Sequence, residues 1–130
     1  GLLYGGADYF RHSAQTLLTF VMIESAEGLR NADEILAVPG VDGVFVGPMD
    51  LGISLGYSPD LPQLADEVET AIGTIQQAAA QKAGKFAGIQ TTSTAEAQRR
   101  VTQGFRLVSI MADTRMMRAT ATQTLAALRA

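Results

Sequence analysis

Residues 43–56 read GVFVGPMDLGISLG. Val44, Phe45 and Val46 form a short apolar run rich in residues that favour strands, and Gly47-Pro48 stops it. A run so short, bounded by turn residues on both sides, reads as a buried strand, and residues 47–59 as the loop that follows it. Two residues past the proline that loop carries a carboxylate, Asp50, among glycine, proline and apolar residues. An acid at a strand exit can be a helix cap or a solvated loop residue. It can also be half of a site, if a second polar group reaches the same place.

The same type of run recurs on both sides. Strands are predicted near residues 17–24, 43–47, 85–90 and 106–111. Helices are predicted near 28–38, 62–83, 94–103 and 114–129. The longest helix carries Leu64, Val68, Ile72, Ile75 and Ala79 at steps of three or four, a single stripe facing a core. Ser93 with Glu96 three residues on is a capping box for the next helix. Asp113 is placed to cap the last one, whose stripe of Met117, Ala121, Leu125 and Leu128 is read as core filling.

Strand and helix alternating four times imply a parallel sheet in an α/β fold. Strands rich in Val, Ile, Leu and Phe are expected to be covered on both faces. Two architectures fit: an open doubly wound sheet, or half of a (β/α)8 barrel, since a whole barrel takes about 250 residues. Residues 1–130 are read as one domain, and the opening Gly1–Gly6 as the interior of a longer sequence.

The 130 residues are 47% hydrophobic, carry a net charge of −3 and include no cysteine. Disulfides and thiolate metal sites are therefore excluded, and a cytoplasmic setting is expected. The only adjacent arginines are Arg99-Arg100, which argues against a nucleic-acid surface, and no apolar run is long enough for a membrane span.

In both candidate architectures function gathers at the carboxyl ends of the strands. The first predicted strand ends in Ile23-Glu24 and the second in Val46-Gly47-Pro48-Met49-Asp50. If those strands are neighbours, their backbones lie roughly 4.8 Å apart and the two carboxylates converge. Such a pair needs a proton or a cation between its members, and a hard divalent ion with open coordination positions suits it. With His12 as the sole histidine, a zinc site is not expected. Gly47 and Gly52 would let a ligand approach the backbone. Asp33, Glu34, Asp66, Glu67 and Glu69 read as solvated helix faces, Asp42 as part of the Pro39-Gly40 turn, and His12 as an exposed residue in a polar stretch.

The segment VMIESAEGLRNADEILAVPGVDGVFVGPMDLGISLG, with the later KFAGIQ and GFRLVSIMADTRMM, resembles the metal-dependent class II aldolases of 2-keto-3-deoxy sugar acids and 4-hydroxy-2-oxo acids. The resemblance implies the C-terminal half of a (β/α)8 barrel, strands five to eight. It makes Glu24 and Asp50 the protein ligands of Mg²⁺, Mn²⁺ or Co²⁺, which acts as a Lewis acid on the enolate of pyruvate. Gly47, Pro48 and Met49 would line the keto-acid pocket, with Met49 standing where small residues are common in the family. The reaction implied cleaves a 4-hydroxy-2-oxo acid to pyruvate and an aldehyde. A homo-oligomer is also implied, the last helix crossing a subunit boundary. The family's catalytic arginine and histidine come from the first barrel half, so neither Arg11 nor His12 takes their place, no catalytic residue is assigned, and this chain is expected to be inactive alone. The rival readings are a citryl- or malyl-CoA lyase and a non-catalytic half-barrel that self-associates through its open sheet edges.

Overall fold

The computed structural model describes residues 5–60 and 64–129. Their order is α1 (Gly6–Thr16), β1 (Phe20–Ile23), α2 (Ala26–Arg30), α3 (Ala32–Ala37), β2 (Gly43–Val46), α4 (Pro48–Ser54), α5 (Asp66–Ala80), β3 (Phe86–Thr91), α6 (Thr94–Thr102), β4 (Leu107–Ile110) and α7 (Asp113–Arg129). The four strands form one sheet in sequence order, every neighbouring pair parallel. All four predicted strands are present, joined by helices, as half a barrel requires.

The register explains which side of the sheet holds the core. Partners across a parallel ladder share a face, so Ile23, Val46, Ile89 and Val108 lie together, with Val44 and Ala87 below them. This face packs on Leu36 of α3 and on Val68, Ile72 and Ile75 of α5. Ile23, Val44, Val46 and Ile89 are all fully buried there. Each such side chain contributes about 1.5–3 kcal/mol of apolar burial.

The opposite face corrects the expectation of strands covered on both sides. It carries Phe20, Met22, Phe45, Phe86 and Leu107, and Met22 and Leu107 are exposed. Four strands curve over only half of a barrel interior, so no described element lies across this face to cover it. The aromatic rings lie along the sheet instead of standing up from it. A Cβ on Gly43 would come within 2.6 Å of the Phe20 ring, and one on Gly88 within 2.6 Å of the Phe45 ring. Glycine is required at both places by close approach.

Five further expectations change. The segment holding Arg11 and His12 is helical, and none of its residues is buried. Residues 28–38 form two short helices that meet at Asn31. The expected loop after β2 begins with helix α4, whose first residue is Pro48, a position where the missing N–H costs nothing. The long helix spans Asp66–Ala80, shorter at both ends than the predicted 62–83: Leu64, Ala65 and residues 81–83 are not helical, and residue 62 itself lies outside the described residues. The apolar stripe of α7 is not core: Met117 is 68% and Leu128 77% exposed, because α7 continues past the edge strand β4 with no buried residue of its own.

Asp42 does not serve the Pro39-Gly40 turn. Its carboxylate accepts a 2.7 Å hydrogen bond from the Thr19 amide, closing the start of β1 against the start of β2. Lys85 adds a bond from its ammonium to the Val41 carbonyl at the same end. The amino ends of the strands are thus fastened by side chains, leaving the carboxyl ends for the residues considered next.

Candidate functional site

Glu24 follows the last residue of β1, and Gly47 follows the last residue of β2. Because Ile23 pairs with Val46, these two exits stand side by side, and the Gly47 amide donates to the Ile23 carbonyl at 3.4 Å. Gly47 is also the N-cap residue of α4, and Asp50 lies in that helix's first turn. The Glu24 carboxylate rests directly over Gly47: a Cβ built there would lie 3.0 Å from Glu24 Oε2 and 3.3 Å from Glu24 Cβ. Glycine leaves the room that the carboxylate occupies. Asp50 follows Gly47 by three residues, in the same turn.

The donor set at this turn is hard oxygen. Among the described residues no three of His, Cys, Asp and Glu come together. Two carboxylates with open positions for water and substrate oxygens fit Mg²⁺-like ions better than a closed structural site. Met49 is about half exposed beside Asp50, so its side chain is free to border whatever binds there.

A cavity of about 680 Å³ opens at the carboxyl ends of β3 and β4. Pro48, Met49 and Asp50 line it together with Gln90, Thr92 and Arg115. Its lining includes Asp50 but neither Glu24 nor Gly47. Gln90 and Arg115 were not singled out from the sequence. The signal was available for Gln90, a polar residue near the carboxyl end of an otherwise apolar strand. Met111 also borders the space, in a left-handed conformation with φ 54° that costs a side-chain-bearing residue about 1–2 kcal/mol.

A polar network closes the outer wall and corrects the reading of Glu69 as solvated. Arg100, 1% exposed, donates from Nη1 to Glu69 Oε2 at 2.7 Å and from Nη2 to Glu69 Oε1 at 2.9 Å. Arg99 reaches Glu69 Oε1 at 3.0 Å, and Gln103 Oε1 accepts from Arg100 Nη1 at 3.1 Å. Partial burial would raise the Glu69 carboxyl, but hydrogen bonds and charge from Arg100, then Arg99, hold it below its ordinary value. The cap predicted at Ser93 forms, its Oγ accepting from the Glu96 amide at 3.2 Å, while the reciprocal bond of the capping box shifts by one residue. Glu96 in turn accepts from the Thr92 amide at 2.8 Å. His12 hydrogen-bonds the Asp8 carbonyl within α1.

Comparison with known proteins places the chain in a family. Residues 6–120 match the family model described as HpcH/HpaI aldolase/citrate lyase. A hydroxypyruvate/pyruvate aldolase of Rhizorhabdus wittichii is 39% identical over 125 residues, which are 96% of this chain and 49% of that protein. A 4-hydroxy-2-oxo-heptane-1,7-dioate aldolase of Klebsiella pneumoniae is 36% identical over 112 residues, 85% of this chain and 40% of that protein. A crystal structure of an HpcH/HpaI aldolase/citrate lyase family protein from Burkholderia cenocepacia superposes with a TM-score of 0.81 at 35% identity. It is matched over 95% of this chain and 47% of its own. The chain spans about half the length of the relatives it matches. On sequence and fold together, the chain belongs to the HpcH/HpaI aldolase/citrate lyase family.

Proposed function

We propose that this chain supplies the cation- and keto-acid-binding half of a divalent-metal-dependent aldolase. The observation that carries this reading is the seating of the Glu24 carboxylate on Gly47, the residue that opens the helix bearing Asp50. Glu24 and Asp50 would hold Mg²⁺, Mn²⁺ or Co²⁺. Such an ion, when bound, supplies Lewis-acid stabilisation of the negative charge that develops on the keto acid. Gly47, Pro48 and Met49 would border the keto acid, their segment offering backbone amides to its carboxylate. The reaction is cleavage of a 4-hydroxy-2-oxo acid to pyruvate and an aldehyde; among the relatives, one is named a hydroxypyruvate/pyruvate aldolase and another a 4-hydroxy-2-oxo-heptane-1,7-dioate aldolase.

Calorimetric titration of Mn²⁺ into the chain tests the site. The unaltered chain is expected to bind, and Glu24→Gln and Asp50→Asn each to lose most of the affinity. Equal binding by all three would remove the pair from consideration. Turnover is expected to be negligible, because no general acid or base is assigned among these residues; substantial metal-dependent pyruvate release by the chain alone would overturn that. Assay of an acyl-CoA thioester beside a 4-hydroxy-2-oxo acid separates the citrate-lyase branch of the family from the aldolases.

A second reading concerns assembly, favoured by the exposed apolar sheet face and by the stripe on α7. Both edge strands, β1 and β4, have an unpaired side. A homo-oligomer that covers these surfaces is expected, and a monodisperse monomer in sedimentation velocity at 100 μM, a concentration about typical for weak association, would exclude it.

A further inference from the structure

The two carboxylates of the proposed pair sit on different segments, and a serine joins those segments. Ser54, the last residue of α4, accepts a 2.9 Å hydrogen bond at Oγ from the backbone amide of Ala26. Ala26 is the first residue of α2 and lies two positions beyond Glu24. An amide at the first helical position has no acceptor within its own helix. The neighbouring Ser25 hydroxyl is already engaged, accepting from the Gly28 amide at 3.0 Å. Ser54 therefore supplies from another element the acceptor that Ala26 lacks locally.

The position of Ser54 in α4 gives this bond its meaning. Ser54 is four residues after Asp50, and residues four apart on a helix share a face. The bond between Ser54 and Ala26 therefore sets the angle at which the face shared with Asp50 meets the segment that carries Glu24. α4 has seven residues and contains Gly52, so its own hydrogen bonds define its orientation weakly. Its other anchor is Leu51, fully buried in the core. Leu51 fixes how deep the helix sits. Ser54 fixes its rotation about its own axis.

Resting on the Glu24–Asp50 reading above, we propose that Ser54 is a positioning residue for that pair. It touches neither cation nor substrate; it holds the direction of Asp50 relative to Glu24. Groups that orient metal ligands in this way are typically worth about 10- to 100-fold in affinity.

The test is Mn²⁺ binding, read by the electron paramagnetic resonance signal of the free ion, alongside thermal unfolding and amide exchange at Ala26. Ser54→Ala is expected to raise the Mn²⁺ dissociation constant about 10-fold, to accelerate exchange of the Ala26 amide, and to leave the melting temperature nearly unchanged. Ser54→Thr keeps the acceptor and is expected to restore both binding and protection. If Ser54→Ala binds as tightly as the unaltered chain while Asp50→Asn has lost binding, the positioning role falls and the carboxylate pair stands. Affinity and melting temperature falling together in Ser54→Ala, unrestored in Ser54→Thr, would reduce Ser54 to a structural contact and overturn the inference. Absence of Mn²⁺ binding in the unaltered chain would overturn the pair itself, and the role of Ser54 with it.

Discussion

Arg100 on α6 grips Glu69 on α5 through two charge-assisted bonds, 2.7 and 2.9 Å, with the guanidinium 1% exposed. Removing the carboxylate leaves that guanidinium with Glu96 at 3.6 Å and the side-chain oxygen of Gln103 at 3.1 Å. Glu69→Ala is therefore expected to cost about 3 kcal/mol, as when one member of a buried pair is deleted. Arg100→Met is expected to cost less, about 1 kcal/mol, because Glu69 keeps Arg99 and the buried charge is gone. Urea unfolding of the two variants checks both the sizes and their order.

Acid should act through the same carboxyl. Glu69 is held below its ordinary value of 4.5 in the fold. Its contribution to stability is complete above that value and is lost as pH falls through the lower, folded one. Melting temperatures measured from pH 6 down to about pH 3 should decline from about 4.5 downward, and Glu69→Gln should flatten part of that decline. An unchanged slope in the variant would mean that other carboxyls govern acid unfolding.

The glycines under the aromatic rings should not be interchangeable. At Gly88 the first obstacle to a methyl group is the Phe45 ring at 2.6 Å, with Leu107 next at 3.1 Å. At Gly43 it is the Phe86 carbonyl oxygen, ahead of the Phe20 ring. Gly88→Ala is expected to cost about 1–3 kcal/mol and to be partly rescued by Phe45→Leu. Gly43→Ala should cost more, and Phe20→Leu should not rescue it, because backbone cannot step aside. Double-mutant cycles by chemical denaturation decide this.

At Gly47 the obstacle is the Glu24 carboxylate itself, 3.0 Å from where the methyl group would sit. A carboxylate at the end of a flexible side chain can move, so Gly47→Ala should unfold within about 1 kcal/mol of the unaltered chain. Mn²⁺ affinity should nevertheless fall, since the displaced oxygen is the proposed ligand. Calorimetry and a thermal melt on one sample separate the two effects.

The strands were legible because Val, Ile and Phe cluster between turn residues, and the cap at Ser93 because both partners lie within one turn. α1 was not, because Gly6–Thr16 is short and mostly polar and none of its residues joins the core. α4 was hidden by its own start signal: Pro48 after Gly47 looks like loop, yet proline suits a first helical position. Glu69 was misread for another reason. Its partner Arg100 is 31 residues away, and no local pattern announces a contact made between helices. Glu24 and Asp50 are proposed from their places at strand ends and from the family resemblance, whereas Ser54 required the bond to Ala26, 28 residues back in the chain.

The sheet runs β1-β2-β3-β4 without a single crossover past a neighbour. Each strand docks on the one completed just before it, so none must wait for a later partner to fill a gap. Loop-closure distances stay short at every step, and the chain can be laid down in the order of its synthesis. Among the described residues the finished sheet keeps two unpaired edges, the outer sides of β1 and β4.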